Sequence, residues 1–137
     1  MIARAYTESD FPLVQQWAEA RGLVIAPILM GNRGFVIEDE NGPCAVAMIY
    51  LLFEVPLAIV DNLITRPGLP GRRALIAWRQ LWRCITAYLK ALRTPDGVNL
   101  GYRIVRTYCN ARLTGLAKAE GWSAAEHQSK QVYYALP

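Results

Sequence analysis

Residues 57–92 read LAIVDNLITRPGLPGRRALIAWRQLWRCITAYLKAL, and this stretch decides the fold. Its first part, Leu57 to Thr65, is apolar and rich in β-branched residues apart from Asp61 and Asn62, which predicts a strand. The segment 66–68 then interrupts the pattern with turn residues. From about Arg72 to Leu92, apolar residues recur at steps of three and four, which predicts the longest helix of the chain. Together they form one strand–turn–helix unit.

The predicted helix has two chemically different faces. One face carries the large apolar residues Leu75, Trp78, Trp82, Ile85, Leu89 and Leu92. The other face carries the basic residues Arg72, Arg79, Arg83 and Lys90. We therefore expect the first face to pack on a sheet and the second to remain in solvent.

Upstream of this unit, Ile2 to Tyr6 is strand-like, and residues 7–10 read Thr-Glu-Ser-Asp, a helix start before apolar residues at helical spacing. The pair Arg21-Gly22 is expected to end that helix. The segment Asp39-Glu40-Asn41-Gly42 is a strong hairpin signal. The remaining predicted elements are a loop at Pro27–Gly34, strands at Phe35–Glu38, Ala45–Phe53, Val98–Val105 and Gln131–Leu136, and a helix at Asn110–Glu120 that Gly121 ends. This order predicts an α/β chain (α+β, with a mixed central sheet) that forms a single domain over residues 1–137.

Length, composition and charge limit the range of functions. The chain has 137 residues, of which 53% are hydrophobic and 19% charged, as is typical of one globular domain. Fifteen Lys and Arg against eleven Asp and Glu give a formal net charge of +4, so anionic partners are expected.

Cysteine, histidine and hydropathy patterns exclude several classes of protein. Cys44, Cys84 and Cys109 are far apart and odd in number, and His127 is the only histidine, so neither a disulfide framework nor a metal site is predicted. No apolar leader occupies the first ten residues, and the most apolar stretch, 44–60, is interrupted by Glu54 and is too short to span a membrane. We expect a soluble cytoplasmic protein.

Near the C-terminus, Asn110, Leu113, Leu116 and the pair Gly121-Trp122 follow one another at the spacing of the helix after the fifth strand in the GNAT superfamily. With the order of elements, and with Val132-Tyr133-Tyr134 similar to the closing strand, the chain resembles a divergent member of that superfamily. The resemblance implies a GNAT-like acyl-CoA N-acyltransferase fold. It also implies acetyl-CoA as co-substrate and a small-molecule or protein amine as acceptor.

In the family, acyl-CoA lies between the fourth and fifth strands with its pyrophosphate at the start of the long helix, where free N–H groups attract phosphate. The loop 67–74 reads Pro-Gly-Leu-Pro-Gly-Arg-Arg-Ala and departs from the family pattern, since Pro70 stands where Arg or Gln is usual. An ordinary Pro/Gly turn is therefore the alternative interpretation. The residues that the resemblance assigns to cofactor binding are Leu63, Ile64, Gly71, Arg72, Arg73, Ala74 and Asn110.

The resemblance also points to catalytic residues. A carboxylate on the fourth strand often serves as general base, and Asp61 stands at the matching place, with Glu54 as an alternative. The general-acid tyrosine of the family maps to Ala117, which cannot transfer a proton. Tyr102, Tyr108 and Ser123 are substitutes from nearby segments, of which we assign Tyr108.

Two functions from different classes remain open. The first is an acyl-CoA-dependent N-acyltransferase. The second is a GNAT fold that has lost catalysis and serves as a binding or assembly protein, such as a phage virion component, with a homo-oligomer or assembly partner. The basic helix face could contact nucleic acid, but no aromatic platform or reading helix supports that interpretation.

Overall fold

The elements of the chain follow the predicted order. The computed structural model describes residues 1–27, 30–108, 111–119 and 121–123. The strands in these ranges are β1 (Ile2–Ala5), β2 (Gly34–Asp39), β3 (Gly42–Leu51), β4 (Leu57–Thr65) and β5 (Ile104–Thr107), and the helices are α1 (Phe11–Glu19), α2 (Gly71–Ala91) and α3 (Ala111–Ala119). A short 3₁₀ turn, Glu8–Asp10, precedes α1.

The strands form one sheet in the order β1-β2-β3-β4-β5. The first three neighbouring pairs are antiparallel, and β4 and β5 are parallel. Parallel neighbours need a long crossover, which α2 provides here. The predicted meander of three strands and the predicted mixed sheet are both confirmed.

The predicted start and end of α1 are confirmed as well. The Asp10 carboxylate accepts hydrogen bonds from the Thr7 N–H at 2.9 Å and from the Thr7 hydroxyl at 3.0 Å. It also forms two hydrogen bonds with the Arg4 guanidinium, at 2.7 and 2.8 Å, which hold the pKa of Asp10 below its usual range. At the other end, Gly22 adopts a left-handed φ of +67°, which glycine tolerates without strain.

Two apolar clusters cover the two faces of the sheet. The cluster on one face joins α2 to the sheet through Ala77, Leu81, Ile85 and Leu89, which pack on Ile37, Ala45, Ala47, Ile49, Ala58 and Val60. The cluster on the other face joins α1 to the sheet through Val14, Trp17 and Ala18, which pack with Val36, Val46, Met48 and Ile64. The basic residues predicted for the outer face of α2 are all exposed: Arg72, Arg79, Arg83 and Lys90.

The prediction of a strand at Val98–Val105 is wrong at its start. Three hydrogen bonds join Thr94 and Val98. The Val98 carbonyl accepts from the Thr94 N–H at 2.8 Å and from the Thr94 hydroxyl at 3.3 Å, and the Val98 N–H donates to the Thr94 hydroxyl at 3.0 Å. Gly101 then adopts a φ of +72°. These contacts fold residues 94–101 into turns, so β5 begins only at Ile104.

The third strand is shifted from its predicted bounds, Ala45–Phe53. The hairpin turn has only two residues, Glu40 and Asn41, so Gly42 already pairs with Asp39 and the strand begins earlier. At its other end the chain turns after Leu51.

Some predictions lie outside the described residues: Cys109, Asn110, Glu120, His127 and the strand Gln131–Leu136. Over the ranges that are described, no helix combines the length and the apolar character needed to cross a membrane. Nor do these ranges bring together three His, Cys, Asp or Glu side chains that could hold a metal ion.

Candidate functional site

The parallel strands β4 and β5 separate part-way along their length. Their pairing begins at Leu57–Ile104 and ends at Val60–Thr107. Strand β4 then continues from Asp61 to Thr65, whereas β5 stops. Among the described strands, none pairs with β4 on that side beyond Val60. We call the point of separation the fork and the side of Asp61–Thr65 that β5 leaves uncovered the open edge.

The backbone of β4 directs hydrogen-bonding groups to this open edge. The Arg66 N–H donates to the Cys44 carbonyl at 2.9 Å, which fixes the alternation of the β3–β4 ladder. Because the direction of the backbone groups alternates along a strand, Ile64, two residues earlier and paired with Val46, also directs its N–H and C=O groups toward β3. Leu63 and Thr65 therefore direct their N–H and C=O groups away from β3. Of the two residues assigned to cofactor binding on β4, Leu63 has its amide group at the open edge and Ile64 does not.

A β-bulge marks the start of the open edge. The pairing of β3 with β4 shifts by one residue opposite Ala47, and Asn62 adopts a left-handed φ of +51°. Asparagine tolerates this conformation better than most residues. The Asp61 carboxylate accepts the Asn62 N–H at 2.8 Å. The bulge therefore changes the direction of the strand just where β5 departs.

A side-chain hydrogen bond holds the bulge in place. The Asn62 amide donates from Nδ2 to the Tyr50 hydroxyl at 3.0 Å and lies 3.5 Å from the Met30 sulfur. Burial raises the pKa of the Tyr50 hydroxyl, so it is neutral at physiological pH. Tyr50 was not among the predicted site residues. The available signal was the polar pair Asp61-Asn62 inside an apolar strand, since Asn and Asp favour bulge and turn conformations.

The start of α2 lies at the same end of β4. Helix α2 begins at Gly71, preceded by Pro70, with no side chain capping its N–H groups. The Ala74 N–H donates to the Pro70 carbonyl at 2.9 Å. In the described structure the N–H groups of Gly71, Arg72 and Arg73 have no acceptor. They carry the positive end of the helix dipole, which attracts anions.

The two arginines of this first turn differ in their surroundings. Arg72 is exposed and forms no ion pair with any described residue. Arg73 forms a bidentate ion pair with Glu40 of the hairpin turn, with Nη2 and Oε2 at 2.6 Å and a second contact between Nη1 and Oε1. This pair lowers the pKa of Glu40. Arg72 is thus the cation available to a bound anion.

The two residues assigned to catalysis lie on either side of the fork. Val60 and Thr107 form the last β4–β5 pair, so Asp61 follows that pair within β4 and Tyr108 follows it just after the end of β5. Both are exposed, Tyr108 to 49%. Tyr102, another candidate, donates its hydroxyl to the Leu52 carbonyl at 2.9 Å at the other end of the sheet.

Beneath the fork, on the α2 side, a small pocket of about 10 Å³ opens to solvent. Trp122 narrows it, with its ring centroid 4.1 Å from that of Trp82 and 6.3 Å from that of Trp78. The buried Trp122 indole N–H has no acceptor among the described residues. The aromatic rings and Val60, Leu63 and Thr107 give the pocket an apolar wall.

No protein-family model and no curated protein matches the sequence. Solved structures match its architecture. TTHA1254 of Thermus thermophilus superposes with a TM-score of 0.67 at 18% identity and covers 99% of this chain and 100% of its own. Rv2747 of Mycobacterium tuberculosis, solved in complex with CoA, gives a TM-score of 0.67 at 13% identity over 96% of this chain and 76% of its own. A GCN5-related N-acetyltransferase of Ralstonia eutropha gives a TM-score of 0.57 at 16% identity and covers 96% of this chain and 97% of its own.

The chain has the GNAT fold. At these identities the likeness establishes the fold alone, and at that level the predicted resemblance is confirmed. The sequence comparisons add no support beyond it.

Ala117, to which the resemblance assigned the family's general-acid tyrosine, is buried. No proton can come from that position. Ser123, a further candidate, is exposed beyond α3. Asn110 lies outside the described residues, and Ala74 is partly buried in the first turn of α2.

The residues at the start of α2 fit a phosphate-bearing cofactor. Three N–H groups without an acceptor and the exposed Arg72 supply donors and charge. The amides of Leu63 and Thr65 at the open edge supply further hydrogen-bonding groups. Pro70 removes one donor but precedes the helix, and the N–H groups that follow it remain available.

Proposed function

We propose that the chain is an acyl-CoA-dependent N-acyltransferase that moves an acetyl or short acyl group to an amine on a small molecule or protein. One observation carries the proposal. Strand β4 keeps an open edge over Asp61–Thr65 at the same end of the sheet as the uncapped start of α2. A ligand with a phosphate group and an amide-bearing arm has complementary chemistry to both.

In this proposal the cofactor is held by two sets of groups. The N–H groups of Gly71, Arg72 and Arg73, with the Arg72 guanidinium, bind the pyrophosphate. The backbone groups of Leu63 and Thr65 bind the amide-bearing arm. When bound, acyl-CoA supplies a thioester-activated acyl group.

In this proposal, residues at the fork remove a proton from the substrate ammonium group and return one to the leaving sulfur. Asp61 lies beside the last β4–β5 pair and is exposed to an incoming ammonium group. Its carboxylate accepts the proton that the ammonium must lose before the amine can attack. Tyr108 stands across the fork and is the hydroxyl assigned to return a proton to the leaving sulfur. Much of the rate would come from positioning the two reactants at the open edge.

A second candidate is a binding or assembly protein with the GNAT fold and no acyl transfer. Two observations favour it: the alanine at position 117 and the narrowing of the fork pocket by Trp122. In this case the pocket is simply apolar core. A virion location belongs to this candidate, and a cytoplasmic one to the enzyme.

Calorimetric titration with acetyl-CoA separates the two candidates. The enzyme should bind acetyl-CoA with a dissociation constant of about 1 mM or tighter. Replacing Gly71 by aspartate should weaken binding by about tenfold or more, because a carboxylate then faces the phosphate. The same change should leave folding stability equal or raise it by about 0.3–1 kcal/mol, because an acidic residue suits the first turn of a helix.

The matched control is Ala87→Asp, which adds the same charge at an exposed position of the same helix. Its affinity for acetyl-CoA should equal that of the wild type. Absence of binding at millimolar acetyl-CoA by a folded wild-type protein would contradict the enzyme and favour the binding protein.

A further inference from the structure

The β2–β3 hairpin places two carboxylates beside the start of α2, Asp39 at the end of β2 and Glu40 in the turn. The Asp39 side chain is fully buried and forms hydrogen bonds with the Arg66 guanidinium at 2.8 and 3.2 Å. The Glu40 side chain, 62% exposed, holds Arg73 through both oxygens. The hairpin is thereby joined to both ends of the loop that leads into α2.

These two pairs set the charge that an anion meets at this end of the helix. Asp39 neutralises Arg66, and Glu40 neutralises Arg73. Of the three arginines here, Arg72 remains without an ion pair to any described residue. Because Asp39 is buried and also lies 3.9 Å from Arg73, the exposed Glu40 is the carboxylate that a ligand can displace.

We propose that Glu40 limits the affinity of this site for phosphate by competing with it for the Arg73 guanidinium. The inference rests on the proposed function, because it concerns the same site. A carboxylate and a phosphate both bind a guanidinium through two oxygens, so Arg73 cannot fully serve both. Glu40 therefore acts as an internal counter-ion, and the Arg73 guanidinium adds to phosphate binding by Arg72 and the N–H groups only when it exchanges Glu40 for phosphate.

The test is the variant Glu40→Gln, titrated calorimetrically with CoA and separately with inorganic pyrophosphate. Both ligands should bind about three- to tenfold more tightly than to the wild type, as expected from removing one nearby charge at a partly screened site. The control is Asp96→Asn, which removes an exposed carboxylate from the turn after α2, at the opposite end of that helix from Arg73. Its affinities should stay within about twofold of the wild type, a margin far below the effect of a close charge pair.

A second variant separates competition for Arg73 from simple repulsion by Glu40. In the Arg73→Gln background, Glu40→Gln should raise affinity by at most about twofold, because the guanidinium that it would release is gone. An undiminished gain in that background would overturn the competition. Unfolding midpoints in urea should match the wild type, which shows that the variants are folded.

The outcomes distinguish this inference from the proposed function. If the wild type binds CoA and Glu40→Gln binds it equally or more weakly, the inference is overturned and the proposed function stands. If the wild type does not bind CoA but Glu40→Gln binds pyrophosphate, the inference stands and the proposed function fails. If neither protein binds either ligand, both are overturned.

Discussion

The two halves of β4 differ in their strand partners and in their polarity. Leu57–Val60 pairs with β3 on one side and with β5 on the other, and Ala58 and Val60 are buried. Asp61–Thr65 pairs only with β3 among the described strands and begins with two polar residues. The first half holds the sheet together, whereas the second presents backbone groups at the fork. A one-residue bulge thus coincides with the division of the strand into a half paired on both sides and a half with an open edge.

The largest expected effect comes from placing a charge in the first half of β4, Leu57–Val60. Val60→Asp should destabilise the fold by about 4 kcal/mol or more, because Val60 is 5% exposed and its replacement would bury an unpaired carboxylate. Urea unfolding followed by circular dichroism measures this change. A folded protein with near wild-type stability would show that the first half of β4 is not core.

Its matched variant is Asp61→Asn, one residue along the strand. Stability should change by no more than about 0.5 kcal/mol, because Asp61 is exposed. If Asp61 is the general base, turnover with acetyl-CoA and a reactive amine should fall by about 10²–10⁴-fold. Affinity for acetyl-CoA should not change. Unchanged turnover would remove Asp61 from the mechanism.

A smaller effect is expected from the hydrogen bond that holds the bulge. Tyr50→Phe removes the acceptor of the Asn62 amide and should cost about 1 kcal/mol of stability. It should also weaken acetyl-CoA binding, because the bulge aims the Leu63 amide at the open edge. Tyr102→Phe is the control, since it removes a hydroxyl that bonds to Leu52 away from the fork. Equal acetyl-CoA affinities for the two variants would contradict a role for the bulge.

The smallest effect concerns the edge of the sheet that lies farthest from the fork. Hydrogen bonds from Arg4 lower the pKa of Asp10, so the ionised carboxylate stabilises the fold above the unfolded pKa of about 4. That contribution should be lost as the pH falls below about 4, and the urea midpoint should fall with it. Asp10→Asn should flatten this dependence only in part, because Arg66 lowers the pKa of Asp39 in the same direction. A dependence identical to that of the wild type would contradict the role of Asp10.

The fold was more predictable than the site because its signals are local. The bounds of β4 and the two faces of α2 follow from residue spacing within one segment. The resemblance placed Asp61 correctly on β4, but no local pattern shows that β5 stops opposite Val60. The prediction for Val98–Val105 failed because Thr94 and Val98 form a turn that apolar spacing does not reveal.

Two features of the site depend on contacts between distant segments. Glu40 and Arg73 are 33 positions apart, and only the folded sheet brings the hairpin against the start of α2. Tyr50 and Asn62 are 12 positions apart and meet because β3 and β4 pair in one particular register. The resemblance assigned Arg73 to cofactor binding, but nothing in the sequence shows that Glu40 already neutralises it.

The bulge at Asn62 has a further consequence for the behaviour of the protein at high concentration. An uncovered strand with unused N–H and C=O groups is a template on which another chain can add a strand, and such edges are a common origin of aggregation. A left-handed residue and an adjacent charge, Asp61, make the edge irregular and interrupt the regular ladder that an added strand would need. The bulge at the start of the open edge is thus expected to disfavour self-association through this edge.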